Sequence, residues 1–100
     1  MSDAPVTAHG FAKCDKPAKY LQQLVKHWGH KYDTSWDEPV ATFPYSETEH
    51  AVMRAGDDGI AITLTTAEAD RNTHMRGVIE RHIDRFAFRE APLDYEWKEA

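Results

Sequence analysis

Three histidines stand at positions where chemistry is feasible. His27 and His30 lie three apart at the end of one apolar-periodic stretch, and His82 lies inside another. Residues three apart share a helix face, so His27 and His30 can present two imidazoles to one metal ion. Gly29, between them, is a natural helix stop that spoils this register. Zinc takes three or four ligands, and Cys14 sits at no recognised spacing from either histidine. If the two helices lie side by side, His27 and His82 can supply one ligand each. The spacing alone favours a plainer reading, in which Lys26, His27 and His30 place polar and cationic groups near the negative pole of a helix. No cofactor is implied; a metal set drawn from His27, His30 and His82, with iron, haem or zinc, stays open.

His82 falls on the same stripe as Met75, Val78, Ile79 and Phe86. A histidine there is either a neutral, hydrogen-bonded core residue or a base or ligand presented into a pocket. The core reading is favoured, because an unpaired buried charge is expensive. His74, Arg81 and Arg85 project to one side of that helix, and Arg89 extends the line. Guanidinium groups hold carboxylates and phosphates well. Glu80, Asp84 and Glu90 also suit a solvated, balanced face, and exposed pairs of that kind contribute little. Phe86 and Phe88 stand about 200° apart on a helix, so they cannot share a face. Either the helix ends near Phe86 or Phe88 protrudes. A protruding aromatic beside Arg85 and Arg89 has the chemistry of an interface anchor.

Nucleophilic catalysis has little support. There is no Gly-x-Ser-x-Gly, no phosphate-cradling glycine loop and no Cys/His pairing that spacing selects. Asp57 and Asp58 are paired carboxylates in a turn, where solvation explains them. The net charge of −5 argues against general affinity for nucleic acid or anionic membranes. One cysteine allows no intrachain disulfide and fits a cytoplasmic setting. Met1-Ser2-Asp3-Ala4-Pro5 lacks the basic and apolar regions of a signal peptide, and no apolar run approaches the roughly 20 residues of a membrane span.

The elements that must position these residues fit one domain, since 100 residues leave no room for a second core. Residues 1–5 read as a frayed end and residues 6–97 as the domain. A weak strand over 6–13 precedes a helix to Trp28, capped by Asp15, with Tyr20, Leu21, Leu24, Val25 and Trp28 on its buried face. Gly29 stops it by taking positive φ. Four short strands follow. Tyr32, Thr34 and Trp36 alternate, then Ala41, Phe43 and Tyr45, then residues 49–55. After the turn Gly56-Asp57-Asp58-Gly59 come Ile60, Ile62 and Leu64. Thr65 and Glu68 match a capping box that opens a second helix, residues 66–86, on the order of 30 Å long. Leu93, Tyr95 and Trp97 alternate, so the tail can add a strand. The order β-α-β-β-β-β-α predicts an α+β fold, an antiparallel sheet with two helices packed on one face. It resembles the order in one half of a TATA-binding-protein-like fold, which carries no function with it.

Two segments carry a family resemblance. Tyr20-Leu21-Gln22-Gln23-Leu24-Val25-Lys26-His27-Trp28-Gly29-His30-Lys31 resembles the first helix of a small, uncharacterised prokaryotic family, domain of unknown function 2218. Arg81-His82-Ile83-Asp84-Arg85-Phe86-Ala87-Phe88-Arg89-Glu90 resembles its C-terminal motif. The resemblance spans about Val6 to Trp97 and brings no catalytic residues with it. It implies an association with siderophore-interacting, reductase-like proteins, hence iron handling. Val25 departs from relatives that carry cysteine there. Three functions follow as expectations. The first is a non-enzymatic domain that binds a ligand or a protein partner such as a siderophore-related reductase, through His27, His30, His82, Arg85, Phe88 and Arg89. The second is a metal-binding protein or enzyme using the histidines between the helices. The third is a structural module, monomer or weak homodimer.

Overall fold

The computed structural model describes residues 5–100; of the frayed end expected at residues 1–5, residues 1–4 lie outside them, and Pro5 is exposed. The chain runs β1 (Val6–Lys13), α1 (Pro17–Trp28), β2 (Ser35–Asp37), β3 (Val40–Pro44), β4 (His50–Ala55), β5 (Gly59–Thr66), α2 (Ala69–Phe86) and β6 (Tyr95–Glu99). All neighbouring strands pair antiparallel, in the order β2-β3-β4-β5-β1-β6. The α+β architecture predicted from the sequence is the architecture observed, with the alternating tail adding the sixth strand beside β1.

Alternation explains the layering, because a strand shows successive side chains to opposite faces. Ala8, Ala12, Ala41, Phe43, Ala51, Met53, Ile60, Ile62 and Leu64 are buried on the helix-covered face. His9, Phe11, Val52, Arg54 and Ala61 stand on the open one. Leu21 and Leu24 of α1, and Ile79 and Ile83 of α2, are fully buried in the same core. Each such side chain contributes about 1.5–3 kcal/mol relative to exposure. α1 packs over β2, β3 and β4, α2 over β5 and β1, and the two helices touch.

The helix starts differ from the sequence reading. Asp15 does not cap α1: Lys16 holds the N-cap position and no side chain bonds the cap. The carboxylate of Glu90 instead accepts the backbone N–H of Asp15, at 3.0 and 3.2 Å. Nor do Thr65 and Glu68 form a capping box. Pairing with β1 keeps β5 extended to Thr66, so α2 begins at Ala69, and Thr66 Oγ1 donates to the Glu68 carbonyl. Gly29 does not take positive φ; it stays right-handed at φ −62°. Close approach makes it glycine, since a Cβ there would lie 2.9 Å from the Val25 carbonyl and 3.3 Å from Thr34 Oγ1. Tyr32 and Thr34 are not in a strand. The backbone N–H of Tyr32 donates to the Trp28 carbonyl, so the turn holds Tyr32 near Trp28.

Side-chain ties at both of its ends fix α2 on the sheet. Arg71 donates to both oxygens of Glu49, at 2.7 and 3.0 Å, and this fork holds the Glu49 carboxyl below the usual carboxylate range. At the other edge, Trp97 Nε1 donates to Glu80 at 2.7 Å and Tyr95 OH donates to Asp84 at 2.8 Å. The backbone N–H of Leu93 reaches the same Asp84 oxygen. The tail is thereby fastened to α2 as well as to β1.

Candidate functional site

The seam between the helices brings together two of the histidines singled out in the sequence, His27 and His82. α1 ends at Trp28, so His27 sits in its last turn and faces α2. The His27 and His82 ring centroids are 5.3 Å apart, and His27 meets Phe86 edge-on at 5.9 Å. On its other side His82 lies 4.6 Å from the Trp28 ring, tilted by 35°. Trp28 in turn packs on Phe43 and Tyr45. A chain of aromatic contacts therefore leads from the sheet to the two imidazoles, which are both half-buried.

His82 does not fasten α2 to a polar group beneath it. Its Nδ1 lies 2.7 Å from the Val78 carbonyl, one turn back in the same helix. A carbonyl only accepts, so Nδ1 carries the proton, and in the neutral ring the lone pair is on Nε2. Burial lowers the pKa of His27, and His82, Arg85 and His30 add to the effect. The surroundings thus favour a neutral His27. Two neutral imidazoles side by side would be able to accept hydrogen bonds or coordinate a metal ion.

The other candidates divide. Arg85 is exposed but close enough to act on His27 by its charge. His30 is exposed in the turn after α1. Among the described residues no group of three or more His, Cys, Asp or Glu side chains could hold a metal ion, so His30 does not complete a set. Helix α2 ends at Phe86, and Phe88 beyond it protrudes at 72% exposure with the Arg89 guanidinium 6.0 Å from its ring. Arg81 is exposed and outside the seam. Burial, Glu90 and neighbouring carboxylates push the Cys14 thiol up to about 11, the opposite of an activated nucleophile.

Sequence reasoning missed one polar centre. Glu90 accepts the Tyr20 hydroxyl at 2.5 Å, and this bond, with burial, raises the Tyr20 pKa to about 12. Seventy positions separate the pair. The position of Glu90 at the end of the C-terminal motif was the one signal for it, and no spacing rule pairs it with Tyr20. Two buried side-chain oxygens, Gln23 Oε1 and Tyr45 OH, have no hydrogen-bond partner among the described residues.

Fold and site define a two-layer α+β domain with a pair of imidazoles in the seam of its helices. The chain belongs to the family described as "uncharacterized protein conserved in bacteria (DUF2218)", whose model matches residues 9–98. Its fold is similar to the NMR structure of PA4090 from Pseudomonas aeruginosa, at a TM-score of 0.79 and 22% identity over 93% of this chain and 95% of that one. No curated protein matches.

Proposed function

We propose that this chain is a non-enzymatic binding domain whose ligand-contacting groups are the imidazoles of His27 and His82. The observation that carries the reading is their pairing at 5.3 Å across two helices, with the His82 tautomer set by the Val78 carbonyl. Metal-ligating histidines commonly donate their second ring N–H to a carbonyl in this way. Two imidazoles bound to one zinc-like ion at about 2.0–2.1 Å place their ring centres about 5 Å apart. They are half of a tetrahedral set, so the ligand is a transition-metal ion that brings its remaining donors with it. Arg85 beside the pair suits anionic donors. Phe88 and Arg89, exposed at the rim, suit contact with a protein partner. The association with reductase-like siderophore proteins, implied by the family resemblance, fits a domain that receives a metal complex in iron metabolism.

Titration with nickel or zinc, followed by imidazole NMR, tests the reading. Selective shifts of His27 and His82 Nε2, lost in His27→Ala and His82→Ala, are the expected result. Shifts confined to His9, His50 or His74, or none at millimolar metal, overturn it.

A further inference from the structure

Acids and bases are segregated over the surface of this chain. It holds 17 acidic and 12 basic residues, yet residues 16–32 contain no Asp or Glu. Helix α1 lies within that stretch, and its Lys19 and Lys26 are exposed. On α2, Arg81 and Arg85 are exposed one turn apart, a like-charge spacing that weakens a helix left to itself. Glu80 and Asp84 of the same helix are turned to β6, Glu80 accepting from Trp97 and Asp84 from Tyr95. Arg89 follows beyond the end of α2, also exposed. Among the described residues the only ion pair joins Arg71 and Glu49, so these five cations have no carboxylate partner within the chain. Glu90 offsets one of them, and Asp15 balances its neighbour Lys16 where the two line a cleft at the start of α1. The surface that remains is strongly cationic on an acidic molecule.

An apolar group stands in the middle of these charges. Phe88 presents 72% of its surface, the most exposed large hydrophobic side chain described, with the Arg89 guanidinium 6.0 Å from its ring. The strip is continuous. Lys19, Phe86, Phe88 and Arg89 line one cleft, and Phe86 meets His27, which follows Lys26 and lies beside Arg85. An exposed aromatic flanked by unpaired arginines has the composition of a protein-interface anchor. The strip is also bounded. Past Glu90, a neighbouring cleft gathers Asp57, Asp58 and Asp94. A long polyanion laid along the cations runs on into these acids and is repelled, whereas a short acidic segment keeps its charge on the strip.

We infer that the outward surface of the two helices docks an acidic protein segment, one with Asp and Glu around apolar side chains. Its carboxylates pair with Arg85 and Arg89, which can hold them bidentately, and its apolar side chains cover Phe88. The inference rests on the binding-domain reading, of which it specifies the protein partner's chemistry, and it needs no metal.

The probe is a short peptide with Glu and Asp flanking two central Leu residues, titrated into the full chain with EDTA present and followed by amide NMR. Its counterparts carry Lys for each acid or Ser for each Leu; single-stranded oligo(dT) and phosphatidylserine vesicles are the competing polyanions. Saturable shifts at residues 26–30 and 81–90, weakened by salt, are expected with the acidic peptide. Arg85→Gln combined with Arg89→Gln weakens binding about tenfold. Phe88→Ser weakens it too, as does Ser for Leu in the peptide. These side chains are exposed, so spectra elsewhere stay unchanged. Arg54→Gln combined with Lys98→Gln makes the same change of charge on the open sheet face and leaves the affinity as it was. No saturable shift at millimolar peptide, equal weakening by the sheet-face pair, or tighter binding of oligo(dT) or vesicles overturns the inference. Metal is chelated throughout, so this proposal and the metal titration of His27 and His82 can each fail alone.

Discussion

At the scale of single residues, His27 has the environment most tied to the seam. Its folded pKa is lowered chiefly by burial, so between that value and the unfolded value, about 6.5, the unfolded chain binds more protons. The stability this residue contributes is present above pH about 6.5 and is lost as pH falls towards the folded pKa. Thermal midpoints of wild type and His27→Gln measured from pH about 7.5 to 5 should therefore converge at the acid end, with wild type showing the steeper fall. Parallel curves would mean that His27 titrates as it does in the unfolded chain. Glu90 offers a second check. Glu90→Ala removes the acceptor for both the Asp15 N–H and the Tyr20 hydroxyl, and should cost about 1–3 kcal/mol in urea denaturation. Tyr20→Phe keeps the Asp15 bond and should cost less. His27 and His82 were legible as candidates because their residue types stand out on apolar stripes. Gln23 and Glu90 were not, because their roles come from partners, or the lack of one, far along the chain.

At the scale of elements, the join between β1 and β6 is an exacting contact. Gly10 pairs with Trp97, and a Cβ added at Gly10 would lie 2.8 Å from the indole. In the sequence this glycine only weakens a strand; in the fold it makes room for Trp97. Gly10→Ala should destabilise by about 1–3 kcal/mol through overpacking. The penalty should shrink in a Trp97→Ala background, and a double-mutant cycle with no coupling would refute the contact. Helix periodicity was easier to read than helix starts. Met75, Ile79 and Ile83 are buried as the stripe required, while Val78, His82 and Phe86 are half-buried along it. The starts depended on what lay beside them: Glu90 at α1, and the paired end of β5 at α2.

At the scale of the molecule, one sheet face is covered by both helices and both sheet edges are blunt. β2 is three residues long and carries Asp37, while β6 carries Glu96, Lys98 and Glu99. Short, charged edges resist pairing with a second chain. Sedimentation should therefore give the 11.4 kDa monomer across a wide concentration range. A concentration-dependent doubling of mass would show that another surface, such as the open face around Phe11 and Val52, is in use. No helix among the described residues is long and apolar enough to cross a membrane.

The sequence by itself determined the order of elements, the buried stripe of each helix, and the family. All three follow from local periodicity and from motifs contiguous in the chain. Tertiary structure alone decided that His27 pairs with His82 while His30 stays outside, and that Glu90 rather than Asp15 serves the start of α1. It also set Lys19 on one surface with Phe88 and Arg89. These are meetings of side chains from distant elements, and their distances depend on how two helices cross one sheet, which no spacing within either helix encodes.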